Sequence, residues 1–142
     1  MQPAALTEVN PLPHQVMIVD DTEVIRCTIV DLFAQVGIRV LAAQSGEECL
    51  EMLNQGFRGV ILMDVMMPGM DGWQTIRAID RASLAEGNII VMLTALDAPD
   101  ERMEGLQNLV IDYFTKPIVP DELIGSVRTY LAYLDNAREM GV

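Results

Sequence analysis

The chain has 142 residues, 51% of them hydrophobic and 21% charged, with a formal net charge of -12. That length suits one domain with a sizeable core, and the acid excess argues against direct nucleic-acid binding and against docking on anionic membranes. No apolar stretch approaches the roughly 18 residues of a membrane span, and the N-terminus lacks the basic start and apolar run of a secretion signal, so a cytoplasmic setting is expected.

Pro3, Ala4, Pro11 and Pro13 mark residues 1–14 as a loose arm. His14, the sole histidine, is expected there as a solvated linker residue. Strand and helix patterns then alternate five times. Strands are predicted at Val16–Asp20, Ile38–Leu41, Val60–Asp64, Ile89–Leu93 and Val110–Phe114. Helices are predicted at Thr22–Val36, Glu47–Gln55, Gly72–Asp80, Pro99–Leu106 and Pro120–Tyr133. Such alternation predicts an α/β domain, a parallel sheet with helices on both faces.

The boundaries have local causes. Asp21 or Thr22 suits the cap of the first helix. Gly37 and Gly56 follow the first two helices, where a left-handed turn favours glycine. Ser45 and Glu48 fit a reciprocal capping box. Asp97 suits the cap of the fourth helix, and Pro120 the first position of the fifth. In that last helix, Leu123, Val127, Tyr130, Leu131 and Leu134 recur at core-facing spacing. Cys27 and Cys49 fall on helices without metal-ligand spacing and are expected as buried small hydrophobes.

The strand ends carry the chemistry. Val16-Met17-Ile18-Val19 runs into Asp20 and Asp21, and Gly59-Val60-Ile61-Leu62-Met63 into Asp64. Ile89 to Leu93 runs into Thr94, and Tyr113-Phe114-Thr115 into Lys116-Pro117. Open α/β sheets keep their sites at this edge. Three carboxylates there repel unless a cation offsets them. Magnesium suits an oxygen set of this kind. With a lysine and a hydroxyl added, the set is one that binds phosphoryl groups, and an aspartate can itself be the nucleophile.

The motifs Asp20-Asp21, Asp64 with Met67-Pro68-Gly69-Met70-Asp71-Gly72, Thr94-Ala95 and Lys116-Pro117 resemble the CheY-like receiver domains of two-component response regulators. The resemblance covers residues 15–134, with 1–14 as a flexible arm and 135–142 as a short tail. It implies a single doubly wound (βα)5 flavodoxin-like domain with strand order 2-1-3-4-5. It implies Asp64 as phosphoacceptor, with Thr94 and Lys116 completing the catalytic set. The implied Mg2+ ligands are Asp20, Asp21, Asp64 and the backbone carbonyl of Met66. Thr94 and Tyr113 correspond to the switch pair, and the Lys116–Pro117 bond is expected to be cis. The implied partners are a sensor histidine kinase or phosphotransfer protein and an unidentified downstream protein. The face of the fourth helix, fifth strand and fifth helix would change on phosphorylation. Such a module is no enzyme beyond catalysing its own phosphorylation and dephosphorylation.

Some positions depart from the family pattern. Met66 and Leu96 are apolar where family members often carry polar groups that orient water, so slow loss of the phosphoryl group is expected. Leu109-Val110-Ile111 replaces a Gly-Ala-x pattern before Asp112-Tyr113. Arg102, Asp112 and Glu122 resemble part of the charge set that pairs winged-helix regulators, but Ser126 stands where those have arginine. The short tail favours a stand-alone receiver over the receiver part of a larger regulator with its own output domain. A haloacid-dehalogenase-type phosphatase, which also uses aspartate, lysine and magnesium, would want Asp-x-Asp where this chain has Asp64-Val65-Met66.

Overall fold

A computed structural model describes residues 14–95 and 105–139. Most of the predicted fourth helix, with Leu96, Asp97 and Arg102, lies outside the described residues, as do 1–13 and 140–142. The described elements are β1 (Gln15–Val19), α1 (Glu23–Ala34), β2 (Val40–Ala43), α2 (Gly46–Asn54), β3 (Gly59–Asp64), α3 (Gly72–Arg81), β4 (Ile89–Thr94), β5 (Val110–Thr115) and α4 (Pro120–Glu139). All strand pairings are parallel and the order is β2-β1-β3-β4-β5, as expected.

The sheet is apolar on both faces because helices cover both. Met17, Val19, Ile61, Met63, Ile90 and Met92 point to one face, packing with Cys49, Leu53, Trp73, Ile76 and Ile79 of α2 and α3. Val16, Ile18, Val60, Leu62, Val91 and Leu93 point to the other, against Ile29 and Phe33 of α1 and Leu123 and Val127 of α4. The alternation along each strand therefore separates two cores, not a core from solvent.

Several boundaries moved for identifiable reasons. β2 starts two residues later than predicted, since the Ile38 N–H closes the end of α1 by donating to the Phe33 carbonyl. Pairing then begins at Val40 opposite Val16. α4 continues through Glu139, past the predicted end at Tyr133. Leu134 at its sixth-last position is buried and Asp135 is anchored, so helical packing persists into that last stretch. His14 is not a solvated linker residue: its side chain is 12% exposed and its Nδ1 lies 2.8 Å from Asp135 Oδ1, joining the start of β1 to α4. Cys27 is exposed, against expectation, because Ile29 and Phe33 turn the apolar face of α1 away from it. Cys49 is buried, and burial pushes its thiol up to about 12.

The caps also differ in part. Ser45 Oγ accepts from the Glu48 N–H, but the Glu48 carboxylate takes the Gln44 N–H instead of that of Ser45. Gly37 and Gly56 adopt the expected left-handed backbone, with φ of 81° and 111°. Between β4 and β5 the register slips, with Ile90 opposite Val110 and Val91 opposite Asp112. Ile111 is thus the extra residue of a bulge, and it points outward.

Phe33, fully buried under the sheet, and Ile111, at 57% exposure, separate core from surface among large apolar side chains. Urea denaturation of Phe33→Ala is expected to show a loss of about 3–5 kcal/mol. For Ile111→Ala the change should stay within about 0.5 kcal/mol.

Candidate functional site

β1 and β3 are central neighbours, so their carboxyl ends deliver Asp20 and Asp64 side by side. Asp20 and Asp64 are buried while Asp21 is exposed, and one carboxylate oxygen of each lies within 4.8 Å of the others. Lys116, just after β5, reaches across with Nζ 3.2 Å from Asp64 Oδ1 and 3.8 Å from Asp20 Oδ2. Thr94 closes β4 between them and is buried. Its carbonyl accepts the Lys116 N–H at 2.7 Å, which ties the two strand ends together. The Lys116–Pro117 bond is cis, as expected.

The two oxygens of Asp20 have different environments. Oδ1 accepts the Thr22 N–H at 2.8 Å, so Asp20 supplies the side-chain bond at the start of α1 that was expected from Asp21 or Thr22. Oδ2 is buried without a hydrogen bond among the described residues, since the 3.8 Å approach of Lys116 is too long for one. A buried carboxylate oxygen in a residue grouped with two other carboxylates is what a hard cation would satisfy. Arg26, unremarked in the sequence, donates to the Asp20 carbonyl at 2.7 Å and fixes the backbone there.

The loop after β3 is held by its own motif. Gly72 packs so closely that a β-carbon would sit 2.6 Å from the Asp64 carbonyl oxygen, and its N–H donates to the Val65 carbonyl. Asp71 and Gln74 form a complete capping box, each side chain accepting the other's N–H at 2.9 Å. The sequence carried that box in plain view, inside Asp71-Gly72-Trp73-Gln74. The loop returns Met66, whose N–H donates to Asp64 Oδ1 at 3.3 Å and whose side chain is exposed. Leu96 falls outside the described residues.

Tyr113 sits on β5 beyond the carboxylates, 40% exposed. The bulge aims it to the side of the sheet that holds Trp73, and the two rings lie 6.5 Å apart at 43°. Trp73 was missed by sequence reading, which gave the helix start to Gly72 and no role to the residue after it. On the opposite side of β5, the Tyr130 hydroxyl donates to Asp112 Oδ2 at 2.5 Å. Burial and that carboxylate push the Tyr130 hydroxyl up to about 12.

Burial, then the charge of Asp20, raises the Asp64 carboxyl above the usual carboxylate range, while Lys116 and the Met66 N–H act against the rise. Because the folded chain holds this proton to higher pH than the unfolded chain, ionisation of Asp64 costs stability above that range. In the presence of chelator at neutral pH, Asp64→Asn is therefore expected to be more stable than the parent, with a higher melting temperature. Melts across pH should show the advantage shrinking as pH falls through the raised range, where the parent is itself protonated.

Residues 16–128 match the sequence profile of a family described as response regulator receiver domain. A probable transcriptional regulator, ycf27, of Guillardia theta is 35% identical over 124 residues, 87% of this chain and 48% of its own length. Protein PilG of Pseudomonas aeruginosa is 31% identical, over 82% of this chain and 87% of its own. The crystal structure of a CheY-like response regulator receiver domain protein from Methanospirillum hungatei superposes with a TM-score of 0.81 at 46% identity, covering 87% of this chain and 98% of that one. The chain thus spans about half the length of several curated relatives and nearly all of the receiver structure.

Proposed function

The chain belongs to the response regulator receiver domain family, and on that premise we propose that it accepts a phosphoryl group from a phosphohistidine onto Asp64 and uses it to change the surface around β5 for a protein partner. The observation that carries this reading is the convergence of Asp20, Asp21 and Asp64 within 4.8 Å, with Lys116 at 3.2 Å from Asp64. A sensor histidine kinase or a phosphotransfer protein would supply the group.

Asp20, Asp21, Asp64 and the Met66 carbonyl would hold Mg2+, and Asp20 Oδ2, without a hydrogen bond among the described residues, supports that assignment. Bound there, the ion would neutralise charge on the phosphoryl oxygens. A carboxylate oxygen of Asp64 attacks the phosphorus in line, and the O–P bond forms as the P–N bond breaks. The imidazole nitrogen leaves with the bonding pair. Lys116 offsets negative charge that moves from the Asp64 carboxylate onto the phosphoryl oxygens. Thr94, at the next strand end, offers a hydroxyl to one of those oxygens. Movement of that hydroxyl leaves space that Tyr113 can enter, so a local charge event is read out at β5.

A second reading makes this receiver the regulatory part of a longer transcription regulator. The half-length match to relatives of that kind supports it. Both readings share the same chemistry at Asp64.

Incubation with acetyl phosphate and Mg2+ should add one phosphoryl group by intact mass, and none to Asp64→Asn. Uptake by the Asp64→Asn variant would sink the assignment of the acceptor. Melting with Mg2+ at about 100 times its dissociation constant should show stabilisation of about 2.7 kcal/mol, abolished by chelator. Met66→Asn, which puts an amide beside the acceptor, should shorten the phosphoryl lifetime roughly three- to tenfold by orienting water. An unchanged lifetime would show that Met66 does not govern hydrolysis.

A further inference from the structure

Trp73 is the sole tryptophan of the chain and sits 4% exposed in the first turn of α3. Its indole N–H is buried and has no hydrogen-bond partner among the described residues. Buried donors almost always find acceptors, because one left unmade costs its full desolvation. Nothing at the phosphoacceptor site explains this exception. The ring beside Trp73 is Tyr113, at 6.5 Å between centroids and 43° between planes.

A tyrosine hydroxyl accepts as well as donates. On the other side of β5, the Tyr130 hydroxyl is engaged by Asp112. That of Tyr113 makes no hydrogen bond among the described residues, and the residue is 40% exposed. Among the described residues, a buried donor without an acceptor and a hydroxyl without a hydrogen bond thus belong to adjacent rings. The cluster that houses Trp73 also contains Met67 and Met92, whose flexible side chains repack readily around an entering ring.

We propose that Trp73 is a positioning residue for the switched state: its unmet indole N–H is the donor that receives the Tyr113 hydroxyl once that ring turns inward. This rests on the reading of Tyr113 as the switch. The unmet donor burdens the resting arrangement alone and is relieved in the inward one. A difference of that kind between two states is what shifts a population. One hydrogen bond of ordinary net strength corresponds to roughly a fivefold change in the ratio of the two states.

The sole indole N–H gives a single 1H–15N cross-peak in the full chain. After phosphorylation with acetyl phosphate and Mg2+, with uptake verified by intact mass, this peak should move downfield and exchange more slowly with solvent. In Tyr113→Phe, which retains the ring and lacks the acceptor, uptake should proceed without the downfield move. In Trp73→Phe, the inward share of Tyr113, read from its ring resonances, should fall roughly fivefold relative to the outward share. A phosphorylated parent whose indole peak does not move, or an equal move in Tyr113→Phe, would overturn the inference while leaving the receiver chemistry intact. Absence of phosphoryl uptake by the parent would overturn the receiver reading and the inference together.

Discussion

The structure turns on a buried conflict of charge at the carboxyl edge of the sheet. Asp20 and Asp64 are both nearly inaccessible and their oxygens lie within 4.8 Å. At an effective dielectric of about 20, such a pair repels by roughly 3 kcal/mol. Lys116 at 3.2 Å returns roughly 5 kcal/mol of attraction on the same scale, before any of the three groups is charged for desolvation. The Asp64 carboxyl is nevertheless raised, so burial and repulsion together outweigh the lysine. The pocket is left short of positive charge, a condition that favours cation binding and charge-altering chemistry.

That conflict persists because the surrounding backbone does not yield. The Asp20 backbone is fixed by the Arg26 guanidinium and by pairing of its N–H with the Ala43 carbonyl. Asp64 ends a strand buried along its whole length. The loop beyond it is held by Gly72 against the strand end and by the reciprocal cap of Asp71 and Gln74. Lys116 is placed by its own N–H on the Thr94 carbonyl. Rigid elements thus hold together side chains that would otherwise move apart and relieve the repulsion.

Much of this was legible before any coordinates. Short apolar runs bounded by turn residues identify buried strands, and a polar residue at the end of each one exposes the edge where a site can form. Asp20, Asp21, Asp64, Thr94 and Lys116 were found in this way, and they do converge. Local context was less decisive where a partner lies far along the chain. His14 looked solvated because its neighbours are prolines, yet Asp135, 121 residues away, holds it. Cys27 looked like core because a helical cysteine without metal-ligand spacing is usually a small buried hydrophobe, and only the direction of Ile29 and Phe33 shows that it faces outward. The Ser45 box looked reciprocal from spacing, but the Glu48 side chain chose a different N–H.

What the sequence determined by itself was the order of elements, the apolar character of both sheet faces and the residue type at each strand end, since these follow from periodicity and from the local chemistry of turns and caps. Tertiary structure decided which of those ends lie next to one another, and by how much. It put β1 between β2 and β3, and so set Asp20 against Asp64. It inserted Ile111 as a bulge and so aimed Tyr113 at Trp73. It left one oxygen of Asp20 and the indole N–H of Trp73 without hydrogen-bond partners among the described residues. Burial and electrostatic cost depend on distances between groups remote in sequence, and no local pattern encodes those distances.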